Sequence, residues 1–161
     1  MANGVFNRGY TIAQVFDMTN STFRVMLVST GYTFNPDHDF VNSNTSSGSN
    51  GEPKVFEISV GGYSRQNLTQ SRFEDDTNDF AGLDASDTTF SALAAGGTIG
   101  GAVLYLYSSS GTLGAGGTTG DSGQNLVSFY DLVDTPTNGG DITIQWASTS
   151  AGGVLKFGST S

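Results

Sequence analysis

The chain contains no cysteine, which excludes disulfides, thiolate metal sites, iron–sulfur clusters and cysteine nucleophiles. Stability therefore has to come from packing or assembly. Basic residues are scarce: six Lys plus Arg stand against fifteen Asp plus Glu, for a formal net charge of −9. A broad basic face for duplex DNA or RNA is thereby excluded, and no nucleic acid is expected as a partner. There is one histidine, one tryptophan and three prolines, so a His-dependent relay has a single candidate base. No apolar run approaches the roughly 18 residues of a membrane span, and no basic stretch precedes a long apolar one near the N-terminus. No membrane partner is expected, and the product is expected to be made in the cytosol. What the chain has instead is 20 Ser, 19 Thr and 23 Gly, a bias that drains helix propensity and favours turns and strands. The hydrophobic fraction is only 36%, yet 11 Phe, 6 Tyr and 1 Trp supply large apolar surfaces that a disordered chain lacks. A length of 161 residues fits one domain, 1–161.

Along the chain, Val5, Phe6, Ile12, Ala13, Val15 and Phe16 fall on a partly helical period, with Asn3 as N-cap and a stop over residues 17–22. This predicts a short N-terminal helix, weakened by Gly9. Residues 22–29 alternate as a first strand with both faces partly covered. Residues 55–60 alternate again and resume at 63–68 after Gly61 and Gly62, predicting a strand with a bulge or tight turn; residues 72–77 extend the ladder. Residues 80–84 and 87–93 bracket an Asp-Ala-Ser-Asp turn in a hairpin-like arrangement, with Asp side chains capping free amides. Residues 99–107 form the most hydrophobic run and belong at the centre with both faces buried. Strands follow at 125–133, 141–146 and 154–157, the last two as a hairpin. Flexible polar loops are expected at about 42–52 and 108–124. The fold class is all-β: an antiparallel β-sandwich or jelly-roll-like fold with a short N-terminal helix. Phe23, Val25, Leu27, Val103, Tyr105, Ile142, Ile144 and Trp146 are expected in its core or interfaces.

Residues that could carry chemistry are few. Glu74, Asp75, Asp76, Asn78 and Asp79, followed by Asp84 and Asp87, could offer oxygen ligands to a hard cation such as Ca²⁺, but they lack the EF-hand spacing and its closing Glu. Solvated turn carboxylates and Asx caps are the preferred reading, and no metal residues are assigned. His38 lies in Asn-Pro-Asp-His-Asp-Phe without a Gly-x-Ser-x-Gly elbow, and reads as a loop imidazole bonded to a carboxylate or the backbone. The acidic balance leaves a carboxylate pair for glycoside hydrolysis open, but nothing singles one out. The glycine runs at 96–101 and 111–117 lack both the strand-to-helix context and the Gly-Lys-Ser/Thr ending of phosphate loops, so they read as turns. Tyr10, Tyr32, Tyr63, Tyr107 or Tyr130 could stack on sugar rings; core and interface packing is commoner for aromatics on strands. No catalytic residues and no cofactor are assigned, and the chain is not expected to be an enzyme.

Several stretches, taken together and in order, resemble a family of small structural proteins of tailed bacteriophages and prophages. They are Phe23-Arg-Val-Met-Leu-Val28, Tyr32-Thr-Phe-Asn-Pro-Asp-His-Asp-Phe40, Asp75-Asp-Thr-Asn-Asp79 and Leu83-Asp-Ala-Ser-Asp-Thr-Thr-Phe90. Further on come Ile99-Gly-Gly-Ala-Val-Leu-Tyr105, Gly140-Asp-Ile-Thr-Ile-Gln-Trp146 and Gly153-Val-Leu-Lys156. Phe90 stands where the family often has Trp, an aromatic swap that keeps the core role, and the Gly/Ser/Thr stretch at 108–123 is longer than the family's. The resemblance implies a virion location and a structural role. It further implies a capsid cement or decoration protein on the outer capsid surface, with the major capsid protein as partner and a homo-oligomer, trimer or dimer, as the working form. The N-terminal segment and the polar loops would be the contacting arms. The alternative is a tail or fibre-associated receptor- or carbohydrate-binding module.

Overall fold

The computed structural model describes residues 4–6, 22–42, 51–77, 80–107, 120–148 and 153–158. The longest alternating runs build the central layer. β2 (Thr22–Ser29) and β8 (Asn125–Pro136) flank β7 (Thr98–Tyr107), and the two-residue strands β1 (Gly4–Val5) and β3 (Gln66–Asn67) finish the sheet in the order β1-β8-β7-β2-β3. Every pairing is antiparallel, with Val25 opposite Leu104 and Leu104 opposite Ser128. A three-stranded sheet, β10-β5-β4, uses β4 (Gln70–Asp75), β5 (Phe80–Ala85) and β10 (Leu155–Gly158), and β6 (Thr88–Phe90) pairs with β9 (Ile142–Ile144).

The period of two sorts side chains into two cores. Phe23, Val25 and Leu27 of β2 and Ala102, Leu104 and Leu106 of β7 face Leu83, Phe90, Ile144 and Leu155 of the smaller sheets, which form the second layer of an all-β antiparallel sandwich. Met26, Val28, Val103 and Tyr105 point the other way, onto Phe6, Tyr32 and Val41 from irregular segments, with Phe34 and Phe56 packed at the margin. An extra residue in β8, Val127 between the partners of Leu104 and Tyr105, lets Leu126 and Phe129 share that second face. A further bulge inserts Gly100 where Val28 and Ser29 pair with Gly101 and Ile99; a Cβ on Gly100 would lie 2.7 Å from the Thr30 Cα, so only glycine fits.

The strands at 22–29 and 99–107, the burial of β7 on both faces and the all-β class agree with the sequence reading. Ile142 and Trp146 are half-buried against the first core, and the other six expected core residues are buried. Other expectations are corrected. Gly4 and Val5, placed at the start of a helix, form a strand on Phe129 and Ser128 because an open edge of β8 offers them backbone partners; residues 7–21, where the rest of that helix was expected, lie outside the described residues. Residues 55–60 are not a strand. Pro53 starts a 3-10 turn (Pro53–Phe56), and only a single bridge from Glu57 to Val28 touches the sheet. The two expected hairpins are also absent, because β5 and β6 enter different sheets, and β9 pairs with β6 while β10 pairs with β5. Residues 43–50 and 108–119 lie outside the described residues, but the second loop's end is tied down: Gly123 and Gln124 are buried, and the Val41 and Asn42 N–H groups donate to the Gln124 and Asp121 carbonyls. Among the described residues no helix is long and apolar enough to cross a membrane.

Leu104 has no exposed surface and sits where both layers meet. Leu104→Ala should cost about 2–5 kcal/mol of stability in urea titrations, whereas Val133→Ala, at a position 72% exposed, should stay within about 0.5 kcal/mol.

Candidate functional site

Among the described residues the densest polar chemistry is an ionic cluster at one end of the outer face of the central sheet. Arg65, on the irregular approach to β3, donates from Nε to Glu57 Oε1 at 2.6 Å and from Nη2 to Glu57 Oε2 at 2.8 Å. The same guanidinium donates to Asp121 Oδ1 at 2.5 Å and Oδ2 at 3.0 Å, a second forked contact. Lys54 pairs with Glu57 and lies 3.8 Å from Asp121 Oδ2. Beneath them the Tyr63 hydroxyl donates to Glu57 Oε1 at 3.0 Å and accepts from the Leu27 N–H at 3.1 Å, while Arg65 lies over the Tyr105 ring, 5.4 Å from its centroid. One arginine thus fastens the Pro53–Phe56 turn, the approach to β3 and the short 3-10 turn Asp121–Gly123.

Burial alone would raise the Glu57 carboxyl, but hydrogen bonds and charge from Arg65 and Lys54 outweigh it and hold the group below the ordinary glutamate value. Burial opposes the charge on Arg65 as well, yet bonding to Glu57 and Asp121 pushes it above its ordinary value, so it stays charged across the accessible pH range. Burial, reinforced by the charge of Glu57, pushes the Tyr63 hydroxyl up, and it remains a neutral donor. The cluster holds two cations, Arg65 and Lys54, and two anions, Glu57 and Asp121, in mutual saturation. That arrangement orients loops and leaves no poised acid, base or nucleophile.

At the other end, where the Gly100 bulge and the longer excursion of β8 meet, lies an open cavity of about 200 Å³. Phe34 and Phe129 line it as a stacked pair with centroids 5.7 Å apart, and Tyr32 meets Phe129 edge-on at 5.2 Å. Asp131 and Asp134 also line it. Aromatic surface beside carboxylates suits a polyhydroxylated ligand or a cationic side chain.

The residues singled out from the sequence fall mostly to structural roles. The Tyr32 hydroxyl lies 3.4 Å from Nδ1 of the half-buried His38, and among the described residues no serine bonds to that imidazole in a relay. The acidic stretch does not converge: Asp75 accepts from the Thr77 N–H at 3.0 Å, Asp87 accepts from the Trp146 N–H at 3.2 Å, and Asn78 and Asp79 lie outside the described residues. Among the described residues no group of three or more His, Asp or Glu side chains is placed to hold a metal ion. Tyr63 belongs to the ionic cluster, Tyr107 carries the Arg24 guanidinium 3.6 Å above its ring, and Tyr130 donates to the Val154 carbonyl at 2.5 Å; Tyr10 lies outside the described residues. Residues 98–101 of the first glycine run enter β7 directly, and residues 111–117 lie outside the described residues. The sequence reading missed the Arg65 cluster because its partners stand 8 and 56 residues away. The one local signal was an arginine, one of four in a strongly acidic chain.

No protein-family model, curated protein or solved structure matches this chain.

Arg65→Met would leave Glu57 and Asp121 with only the exposed Lys54 as a neighbouring cation among the described residues. It should cost about 2–3 kcal/mol, less than the ~3–5 of a fully buried pair, because Asp121 keeps partial solvent access. Lys54→Met, at an exposed position, should cost under about 1 kcal/mol. The Glu57 contribution is present above the ordinary carboxylate pKa of about 4.3 and is lost as pH falls through its lowered folded value. The stability gap between the wild type and Glu57→Gln should therefore close on acidification below about pH 4; a gap constant from pH 7 to 3 contradicts the assignment.

Proposed function

We propose that this chain is a structural protein of a tailed-bacteriophage virion. It attaches to the outer capsid surface as a cement or decoration protein, takes the major capsid protein as partner, works as a homo-oligomer and performs no catalysis. The observation that carries this reading is where the resembling segments fall. The segment Phe23 to Val28 lies in β2 and Ile99 to Tyr105 in β7, which are neighbours; Leu83 pairs with Leu155, and Thr88 to Phe90 pair with Ile142 to Ile144. Five of the seven resembling segments thus include strands of the two layers, while residues 32–40 and the turn after Asp75 lie outside them. A fold that closes without cysteine and clamps its loops with a saturated ion cluster supports a protein required to stay folded on a lattice.

The second reading, a tail- or fibre-associated carbohydrate-binding module, is favoured by the cavity under Tyr32, Phe34 and Phe129. Cosedimentation with purified capsid shells, run beside binding to host cell-surface glycans, separates the two. The proposal expects saturable binding to shells. With a net charge of −9 meeting basic capsid patches, affinity should fall several-fold as salt rises from about 0.05 to 0.5 M. Retention on glycans with none on shells overturns it.

A further inference from the structure

We propose that two copies of this chain join by pairing β4 with β4 about a twofold axis centred on Phe73, turning two three-stranded sheets into one continuous six-stranded sheet. This deepens the homo-oligomer part of the reading above by naming its self-interface. Its test needs no capsid, so either claim can fail alone.

β4 ends the order β10-β5-β4, hydrogen-bonded to β5 on one side, with no strand on the other among the described residues. At six residues it is the longest edge strand described; the edges of the central sheet, β1 and β3, have two each. Such an edge presents alternate N–H and C=O groups to whatever strand can lie against it. Arg72 is opposite Leu83 and Glu74 opposite Ala81, so both side chains leave the strand on the core-facing side, and both are exposed. Every other described cation is engaged: Arg24 on Tyr107, Lys156 on the Phe80 ring, and Lys54 and Arg65 with acids. Among the described residues Arg72 and Glu74 enter no ion pair. Two residues apart on one face of an extended strand, about 6.6 Å, they form no ion pair with each other.

A second copy supplies the missing partners in one register only. Keeping both core faces on the same side of a continuous sheet requires the twofold axis to stand normal to it. Facing residues then belong to the same alternation class, and the axis passes through a residue position. Centred on Arg72, the pairing sets arginine against arginine; centred on Glu74, it sets glutamate against glutamate. Centred on Phe73, it sets Arg72 of each copy opposite Glu74 of the other, twice over, with Ser71 opposite Asp75. Cross-strand pairs of opposite charge stabilise and like charges oppose, so the charges that keep unrelated strands off this edge select a second copy.

Analytical ultracentrifugation of the full chain tests this. The wild type should sediment as a dimer at roughly 100 μM. R72E and E74R should each weaken dimerisation about tenfold or more. The double variant R72E/E74R, and equally a one-to-one mixture of R72E with E74R, should recover it to within about threefold, since both restore opposite charges across the axis. Far-UV circular dichroism of each variant confirms folding. A wild type that stays monomeric or forms a trimer overturns the proposal, as do single variants that dimerise unimpaired or folded double variants that fail to recover.

Discussion

β7 runs between β2 and β8 with Ala102, Leu104 and Leu106 against one core and Val103 and Tyr105 against another, so neither of its faces can be left to water. A strand buried on both faces needs two covers, and the chain provides them unequally. The smaller sheets close one side with Leu83, Phe90, Ile144 and Leu155 on regular ladders. Irregular segments carrying Phe6, Tyr32, Phe34, Val41 and Phe56 close the other. A loop cover carries backbone groups with no ladder to satisfy them, and this sets the second problem the sequence solves.

Its solution is polar. The Tyr63 hydroxyl takes the Leu27 N–H, the Ile58 N–H reaches the Leu27 carbonyl, and Arg65 binds Glu57 and Asp121 from separate loops. The same logic recurs under the second layer, where Asp141 accepts from the Ala92 N–H at 2.8 Å and fixes a residue held at a φ of +53°. Carboxylates that read as bare acidity in the composition are in part the fasteners of turns. Among the described residues no buried side-chain nitrogen or oxygen is without a hydrogen-bond partner. A low apolar fraction is therefore compatible with an ordered molecule, because polar residues are spent on satisfying loops rather than on solvating them.

The sheet's centre was legible because residues 22–29 alternate and residues 99–107 form the chain's most hydrophobic continuous run, both local signals of strands covered on two faces. The pairing of later strands was not. The Asp-Ala-Ser-Asp segment after β5 has the chemistry of a hairpin turn, but it acts as a corner that carries the chain from one sheet to another, and turn residues do not reveal which strand will be the neighbour. Residues 55–60 alternate like a strand, yet Pro53 commits the segment to a 3-10 turn and its contact with the sheet stops at one bridge. The candidate site was illegible for a related reason. Arg65, Glu57 and Asp121 meet only after folding, so no spacing announces them; Asp87 and Asp141 stand beside turns, but the N–H groups they accept from, those of Trp146 and Ala92, lie 59 and 49 residues away and were equally illegible.

A molecule that invests its polar chemistry in holding loops is suited to contact with other protein surfaces, which is the logic of the proposed attachment to a capsid. Cryo-electron microscopy of the virion it is proposed to belong to tests that attachment most directly. The account predicts density for this two-layer β fold on the outer face of the head, repeated with the capsid lattice. Density for the chain only at the tail, only inside the head, or nowhere on the particle would contradict it.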